Sequence, residues 1–478
     1  MDSNTIIRGS SDKNPETSRP FSRVAMAHCL RVAAAVSVIA CTSACNDGSD
    51  FRTPPVNGPL IILDIDTLRA DHLGCYGYER DTSPSIDLFA SESVVFEWAF
   101  SQAPNTPPSQ ATILSGLYPS THGMIGDDDR LPHEVRTLAE VLRDNGYVTA
   151  GFHDGGYLSN SFQMGQGFDT YEGFGGQGLK AIGPEVVEWL HQHANEKFLL
   201  FVHTYDTHTP YAPASPFDQL FMDGVPSPTP GFIPNPEQME AIRLSKYTDN
   251  PRMLPDNDIA YAMALYDGEI RFVDDWVGKF MAVLRELKLD EIATVVILSD
   301  HGEEFQEHGS VLHEKLYRTV THIPLILRFP NGTVQARIER PVGAIDVMPT
   351  LLNFCGLPIP DAVQGESLLH LLTTESHGDS KPVFSESPFF GHRRGIVSGN
   401  LHLLHTISDQ TTELYDYRLD PDEQDDLAVR HASQISTILE SLEQWRVMVE
   451  ADAIIAQAHD EQMDEETKEQ LRELGYIR

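Results

Sequence analysis

Positive charge is scarce in this chain. Its 34 lysines and arginines stand against 71 aspartates and glutamates, a formal charge of −37 over 478 residues. Such a surface repels polyanions at long range, which argues against nucleic acid as a partner. An anionic substrate would need strong local positive charge, such as a metal. Cysteine is scarcer still, five in all, and Cys29, Cys41 and Cys45 fall in the first 45 residues. The remaining two, Cys75 and Cys355, sit in apolar settings ("HLGCYGY", "LLNFCGLP") and read as buried free thiols, although an oxidising compartment would allow them to pair. There is no internal repeat and no long low-complexity tract. The length exceeds one average domain, so a large domain with a smaller one is expected.

The apolar run Val32 to Ala40 is too short to span a bilayer but suits the core of a signal peptide, with Arg31 before it. Val38-Ile39-Ala40-Cys41 resembles a bacterial lipoprotein cleavage box, which would make Cys41 the lipidated N-terminus; Cys45 fits the box less well. Residues 1–45 are therefore expected to be a leader and 46–58 a polar linker, and the mature protein to be exported to the periplasm or cell surface. There it would be lipid-anchored to a bacterial membrane, an ordinary cleaved signal being the alternative.

Beyond the linker, short apolar runs alternate with helical patterns. Strands are expected at 60–66, 148–153, 197–205, 293–300 and 323–329, several of them continuous apolar runs of the kind that fill the middle of a sheet. Helices are expected at 137–146, where Gly146 suits the C-cap, and at 260–287. Alternation of this kind gives an α/β fold, a large mostly parallel sheet covered by helices on both faces. In such sheets, sites form at the carboxyl ends of strands. Three of the strands end in ligand-like residues: Asp64 and Asp66; His203, Asp206 and His208; Asp300 and His301. One such Asp is commonly a helix cap. Three strand ends carrying Asp and His to one sheet edge point to a shared metal site.

Residues 210–255 are proline-rich and without clear periodicity, a rim or lid beside His208. A catalytic domain is expected over 59–374 and a smaller unit over 375–478. The second has an antiparallel sheet within 392–428, a helix at 435–452 and a charged, exposed terminal helix.

The motifs "ILDIDTLRADHLGCYGY", "TPPSQATILSGLYPSTHG", "FLLFVHTYDTHTPY", "VVILSDHGEEFQEHG" and "IPLILRFP", with two later segments, follow one another in an order that resembles the sulfatase family of the alkaline-phosphatase superfamily. The resemblance covers 59–428. It implies an alkaline-phosphatase-like fold and hydrolysis of sulfate or phosphate esters, small-molecule or glycan, at a divalent metal. Carried over, Asp66 falls on the first acidic metal ligand, Asp300 and His301 on the later metal pair, and Thr106 on the nucleophile, beside the same metal. His208 matches the histidine near the leaving group. Of His308, His313 and Lys315, His313 is chosen as the contact to the substrate's anionic oxygens. The pattern Cys-x-Pro-x-Arg reads Thr106-Pro107-Pro108-Ser109-Gln110 here, so formylglycine cannot form, and Thr67 replaces a second acidic ligand. The segment after 148–153, where the family carries a lysine and a histidine, offers His153-Asp154 and no lysine.

A threonine beside a metal can serve as nucleophile. Lacking the aldehyde exit of formylglycine, it tilts the chemistry toward phosphate or phosphonate esters. Oxygen ligands with one histidine suit calcium, magnesium or manganese, with zinc also possible. Alternatives are a transferase passing a phospho-group to an alcohol, and a non-catalytic surface protein binding sulfated or phosphorylated glycans. A competing role for Thr106 is that of helix N-cap. The leader itself yields a first test. Cys41→Ser should release the protein from the membrane fraction or block its processing; an unlipidated mature N-terminus well downstream of Cys45 would exclude the anchor.

Overall fold

In strand β1 (Leu60–Ile65) every residue is buried, and alternate side chains enter opposite layers of core. Such a strand needs neighbours on both edges and helices on both faces. The computed structural model supplies both. It describes residues 58–478 apart from 127, 374–380, 455–462 and 475–478, so the leader, Cys41, Cys45 and nearly all of the linker lie outside the described residues.

The remaining strands of the main sheet are β2 (Val94–Phe96), β3 (Val148–His153), β4 (Thr170–Gly173), β5 (Phe198–Thr204), β6 (Thr294–Leu298), β7 (Leu325–Arg328) and β8 (Ala336–Ile338). They form an eight-stranded sheet in the order β8-β2-β7-β6-β1-β5-β3-β4. Six of the seven strands other than β1 run with it; β7 pairs antiparallel with both β6 and β2. The five strands expected from apolar runs are present. β2, β4 and β8 were not legible, because each is too short to show a period and sits toward an edge, where neighbours and not composition make it a strand.

Leu60 and Ile62 of β1, Leu199 and Phe201 of β5, and Val296 and Leu298 of β6 pack in one layer with Ala111, Leu138, Leu142 and Leu351. Ile61, Leu63, Leu200, Val202, Val295 and Ile297 face the other layer, with Ile86, Val186, Val273 and Phe280. Each such side chain contributes about 1.5–3 kcal/mol on burial. The Leu138–Asp144 helix opens with a capping box between Thr137 and Glu140 and closes with Gly146 at φ +78°, beyond the capping Asn145. The long helix Asp256–Glu286 starts four residues earlier than its periodicity suggested.

Four antiparallel strands, Val383–Ser387, Arg393–Ser398, Leu401–Thr406 and Thr412–Asp416, form the C-terminal sheet. The Ala432–Ala451 helix covers it, placing Ile438, Leu442 and Trp445 on Ile396, Leu403 and Leu414. This unit grips the chain just past the Thr106–Ser115 helix. Tyr118 meets the Trp445 ring edge-on with centroids 5.2 Å apart, and the Ser120 N–H donates to Glu386 at 2.7 Å.

Two expectations need correction. Residues 210–255 are not irregular throughout: Pro236–Ser245 is a helix whose N-cap Asn235 accepts the Gln238 N–H at 3.0 Å. The terminal helix, Glu465–Glu473, is not simply exposed, because Leu471 is fully buried in the main core. Its charged residues disguised a single apolar seam. Both cysteines are free, Cys355 buried as expected and Cys75 only half-buried.

Glu269, on the long helix, accepts the Ala212 N–H at 3.0 Å. Burial, with Asp206 nearby, pushes its carboxyl up to about 9 from an ordinary 4.5. The folded chain holds a proton there that the unfolded chain releases. The stability this contributes is complete below about 4.5 and is lost as pH rises through about 9. Glu269→Gln keeps the acceptor and removes the titration. By calorimetry the variant should melt about 2 °C above the wild type at pH 9 and level with it at pH 5; the same difference at both values would refute the protonated assignment.

Candidate active site

The carboxyl ends of β1, β5 and β6 are neighbours in the sheet, and what leaves them converges. Asp64 on β1 lies directly beside His203 on β5 in the parallel register. Asp66 follows β1 by one residue, and Asp300 and His301 follow β6. The Thr106–Ser115 helix brings its first residue to this edge. Asp66, Thr106, His203, Asp300 and His301 are all completely buried.

Thr106 Oγ1 lies 3.1 Å from Asp66 Oδ2 and 3.3 Å from His301 Nε2. The helix N-cap is Asn105, and Thr106 is the first helical residue with its hydroxyl turned to the acidic cluster, so the N-cap reading of Thr106 is overturned. Pro107 and Pro108 bring no N–H, and that of Ser109 is spent on the Asn105 carbonyl at 3.3 Å. This helix therefore offers the site its dipole more than a cradle of donors.

His301 donates from Nδ1 to the Gly302 carbonyl at 3.0 Å, which leaves the lone pair of Nε2 facing Thr106. Asp300 Oδ1 accepts the His301 N–H at 2.8 Å and the Thr67 N–H at 3.4 Å. Asp66 Oδ1 and Asp300 Oδ2 are buried without any hydrogen-bond partner. Burial, reinforced by the charge of Asp300, holds the carboxyls of Asp64 and Asp66 well above the usual carboxylate range. Among the described residues, Asp66, Asp300 and His301 form a cluster whose ligand atoms all lie within 4.8 Å of one another. Orphaned carboxylate oxygens beside an imidazole lone pair are a donor set that fits a divalent cation. Thr67 sits at φ 56°, an outlier for a β-branched residue, with a buried, unpartnered hydroxyl.

The basic candidates separate cleanly. His313 stands with its ring 4.4 Å from that of His301 and 5.1 Å from that of His208. His308 instead stacks flat on Tyr317, centroids 3.5 Å apart, and Lys315 bonds the His308 carbonyl. His313 Nδ1 is 3.1 Å from Glu303 Oε1, and Tyr211 donates to the other oxygen of Glu303 at 2.9 Å. His208 donates from Nδ1 to the Thr209 carbonyl at 2.7 Å. Burial and the neighbouring His313 pull its pKa down to about 3. A cavity reaches Asn105, His208 and His313, with Arg243 and Leu312 in its wall.

Several contributors were missed from sequence. His203, whose Nε2 lies 3.4 Å from Asp66 Oδ2, and Asp64 stand at strand ends already singled out but were given no role. Gln110, at the position of the family's arginine, donates to Asp64 at 2.7 Å. Glu303 lies inside "SDHGEE", where only the metal pair was assigned. Arg243 carries no motif and enters from the lid helix, paired with Glu240 and Glu314. His153 and Asp154 hold local backbone: His153 Nδ1 accepts the Gly155 N–H at 3.0 Å, and Asp154 accepts those of Gly178 and Tyr205 at 2.9 and 3.2 Å.

This sheet brings an acidic cluster that is a possible metal site together with the start of the Thr106–Ser115 helix at its strand ends. The sulfatase family profile matches residues 60–357, and that of the N-sulphoglucosamine sulphohydrolase C-terminal region matches 306–450. The chain belongs to the sulfatase family and is a sulfatase-like hydrolase. It is 26% identical over 415 residues to an ulvan-active sulfatase of Formosa agariphila, spanning 78% of this chain and 77% of that one. A solved structure in complex with its substrate D-glucosamine-2-N,6-O-disulfate superposes with a TM-score of 0.70 at 18% identity, covering 82% of this chain and 98% of that one. A phosphonate monoester hydrolase from Silicibacter pomeroyi gives 0.67 at 20%, covering 82% and 95%.

Proposed function

We propose that this protein is an exported, lipid-anchored, metal-dependent hydrolase of sulfate or phosphate esters that uses Thr106 as its nucleophile. The observation that carries the reading is the buried Thr106 hydroxyl, 3.1 Å from Asp66 and 3.3 Å from His301. A hydroxyl so placed gains nothing for the helix it begins. Asp66, Asp300 and His301, with the Thr106 oxygen, would hold the cation, and calcium, magnesium, manganese or zinc each suits part of the donor set. When bound, that ion would lower the pKa of the hydroxyl and offset charge on the ester oxygens.

Asp66 Oδ2 accepts the Thr106 hydroxyl proton and, with His301 Nε2 3.3 Å away, fixes its rotamer, so the remaining lone pairs meet an ester in the adjoining cavity. Oγ1 passes its proton to Asp66 Oδ2 and bonds to the sulfur or phosphorus as the bond to the leaving oxygen breaks. His208 Nε2 passes a proton to that oxygen. Burial opposes the charged imidazole, so His208 takes up this proton only with an anionic ester beside it. Once neutral, it accepts a proton from water, whose oxygen attacks the same centre and displaces the Thr106 oxygen, which takes its proton back from Asp66. His313, its Nδ1 accepting the proton of Glu303, whose carboxyl burial pushes up to about 7, donates its Nε2–H to the non-bridging oxygens. The phosphonate hydrolase among the structural neighbours and the sulfatases among the relatives support both ester classes.

The metal assignment requires that chelation abolish turnover and that purified Asp300→Ala retain its fold while losing most of its bound divalent metal by elemental analysis; full activity in that variant would end the assignment. For the nucleophile, Thr106→Ala should cost a thousandfold or more in turnover on the best of aryl sulfate, phosphate monoester and phosphodiester substrates, roughly the loss seen when a covalent nucleophile is removed. Thr106→Ser should keep part of the rate. Near wild-type turnover in the alanine variant would refute the role.

A further inference from the structure

The last described helix, Glu465–Glu473, lies beyond both family matches, the later of which stops at residue 450. It docks on the loop after β3, in the segment where the family carries its lysine. Asp464 caps it, accepting the Thr467 N–H at 2.7 Å, and Thr467 bonds Ser159 at 3.2 Å. Gln470 Oε1 accepts the Gly156 N–H at 2.8 Å. Two glycines make room. A Cβ on Gly155 (φ +92°) would meet Gln470 Oε1 at 2.3 Å, and one on Gly156 (φ +56°) would meet Leu474 Cδ1 at 3.1 Å and the Tyr205 ring at 3.4 Å. Leu471 is fully buried beneath the helix. Leu474, just past its end, lines the cavity that holds Asn105, His208 and His313.

We propose that Leu474 is a specificity-determining residue. The C-terminal helix carries it into the catalytic cavity as an apolar wall, which selects esters whose carried group presents an apolar face, such as an aryl ring. The inference rests on the hydrolase reading of the site. Leu312 and Phe389 extend the apolar lining that Leu474 begins. The cavity's cation, Arg243, is already paired with Glu240 and Glu314. The wall therefore favours a group by contact and not by charge.

Titration calorimetry of the full-length protein with phenylphosphonate and methylphosphonate tests this. Leu474→Ala should weaken phenylphosphonate about tenfold, the discrimination an apolar contact supplies, and methylphosphonate less than about twofold. Leu474→Met should restore the phenyl preference, and Leu474→Trp should abolish phenyl binding while sparing methyl. Equal weakening of both ligands in the alanine variant, which a loosened fold would give, overturns the wall, as does no change in either. If the wild type binds neither phosphonate, the hydrolase reading fails and the inference falls with it.

Discussion

Asp64, Asp66 and Asp300 are buried together at the carboxyl edge of β1 and β6, and the ion pairs that Asp66 and Asp300 make among the described residues are with histidines. Two like charges at the 4.8 Å scale of this cluster repel by about 3 kcal/mol even at an effective dielectric near 20. The surrounding structure answers that repulsion piece by piece. Gln110 reaches back from its helix to Asp64, backbone N–H groups from Thr67 and His301 point at Asp300, and the Thr106 hydroxyl points at Asp66. What these neutral donors leave over is the attraction of the site for a cation. In a chain poor in lysine and arginine, a cation held there, as proposed, would supply the positive charge that few side chains can.

The same constraint explains why the site is so dry. Every member is buried, and His301, His208 and His313 have one ring nitrogen tied to a carbonyl or to Glu303, so each of these rings presents the other nitrogen to the interior. Desolvation drives His208 and His313 toward the neutral form.

How much of this was readable in the sequence depended on length and on locality. The five long apolar strands and the Asp and His residues at their ends were legible because a buried strand followed by a ligand is a contiguous pattern. Val94–Phe96 and Ala336–Ile338 were not, since three residues carry no period and their pairing partners are distant in the chain. The orienting residues were hidden for a related reason. Glu303 and Gln110 matter through partners on other elements, and nothing local marks them. Arg243 and Leu474 arrive from a lid helix and from the end of the chain, two places where composition suggested only a rim and a solvated tail.

Tyr118 and Ser120 follow the Thr106–Ser115 helix almost directly, and both are held by the C-terminal unit, through Trp445 and Glu386. The small sheet in this way fixes the far end of the segment whose near end bears Thr106. A cut between the two units would remove no residue of the acidic cluster, yet it would leave that segment anchored on one side only. The small sheet and the main sheet are thus coupled mechanically through the segment that bears Thr106.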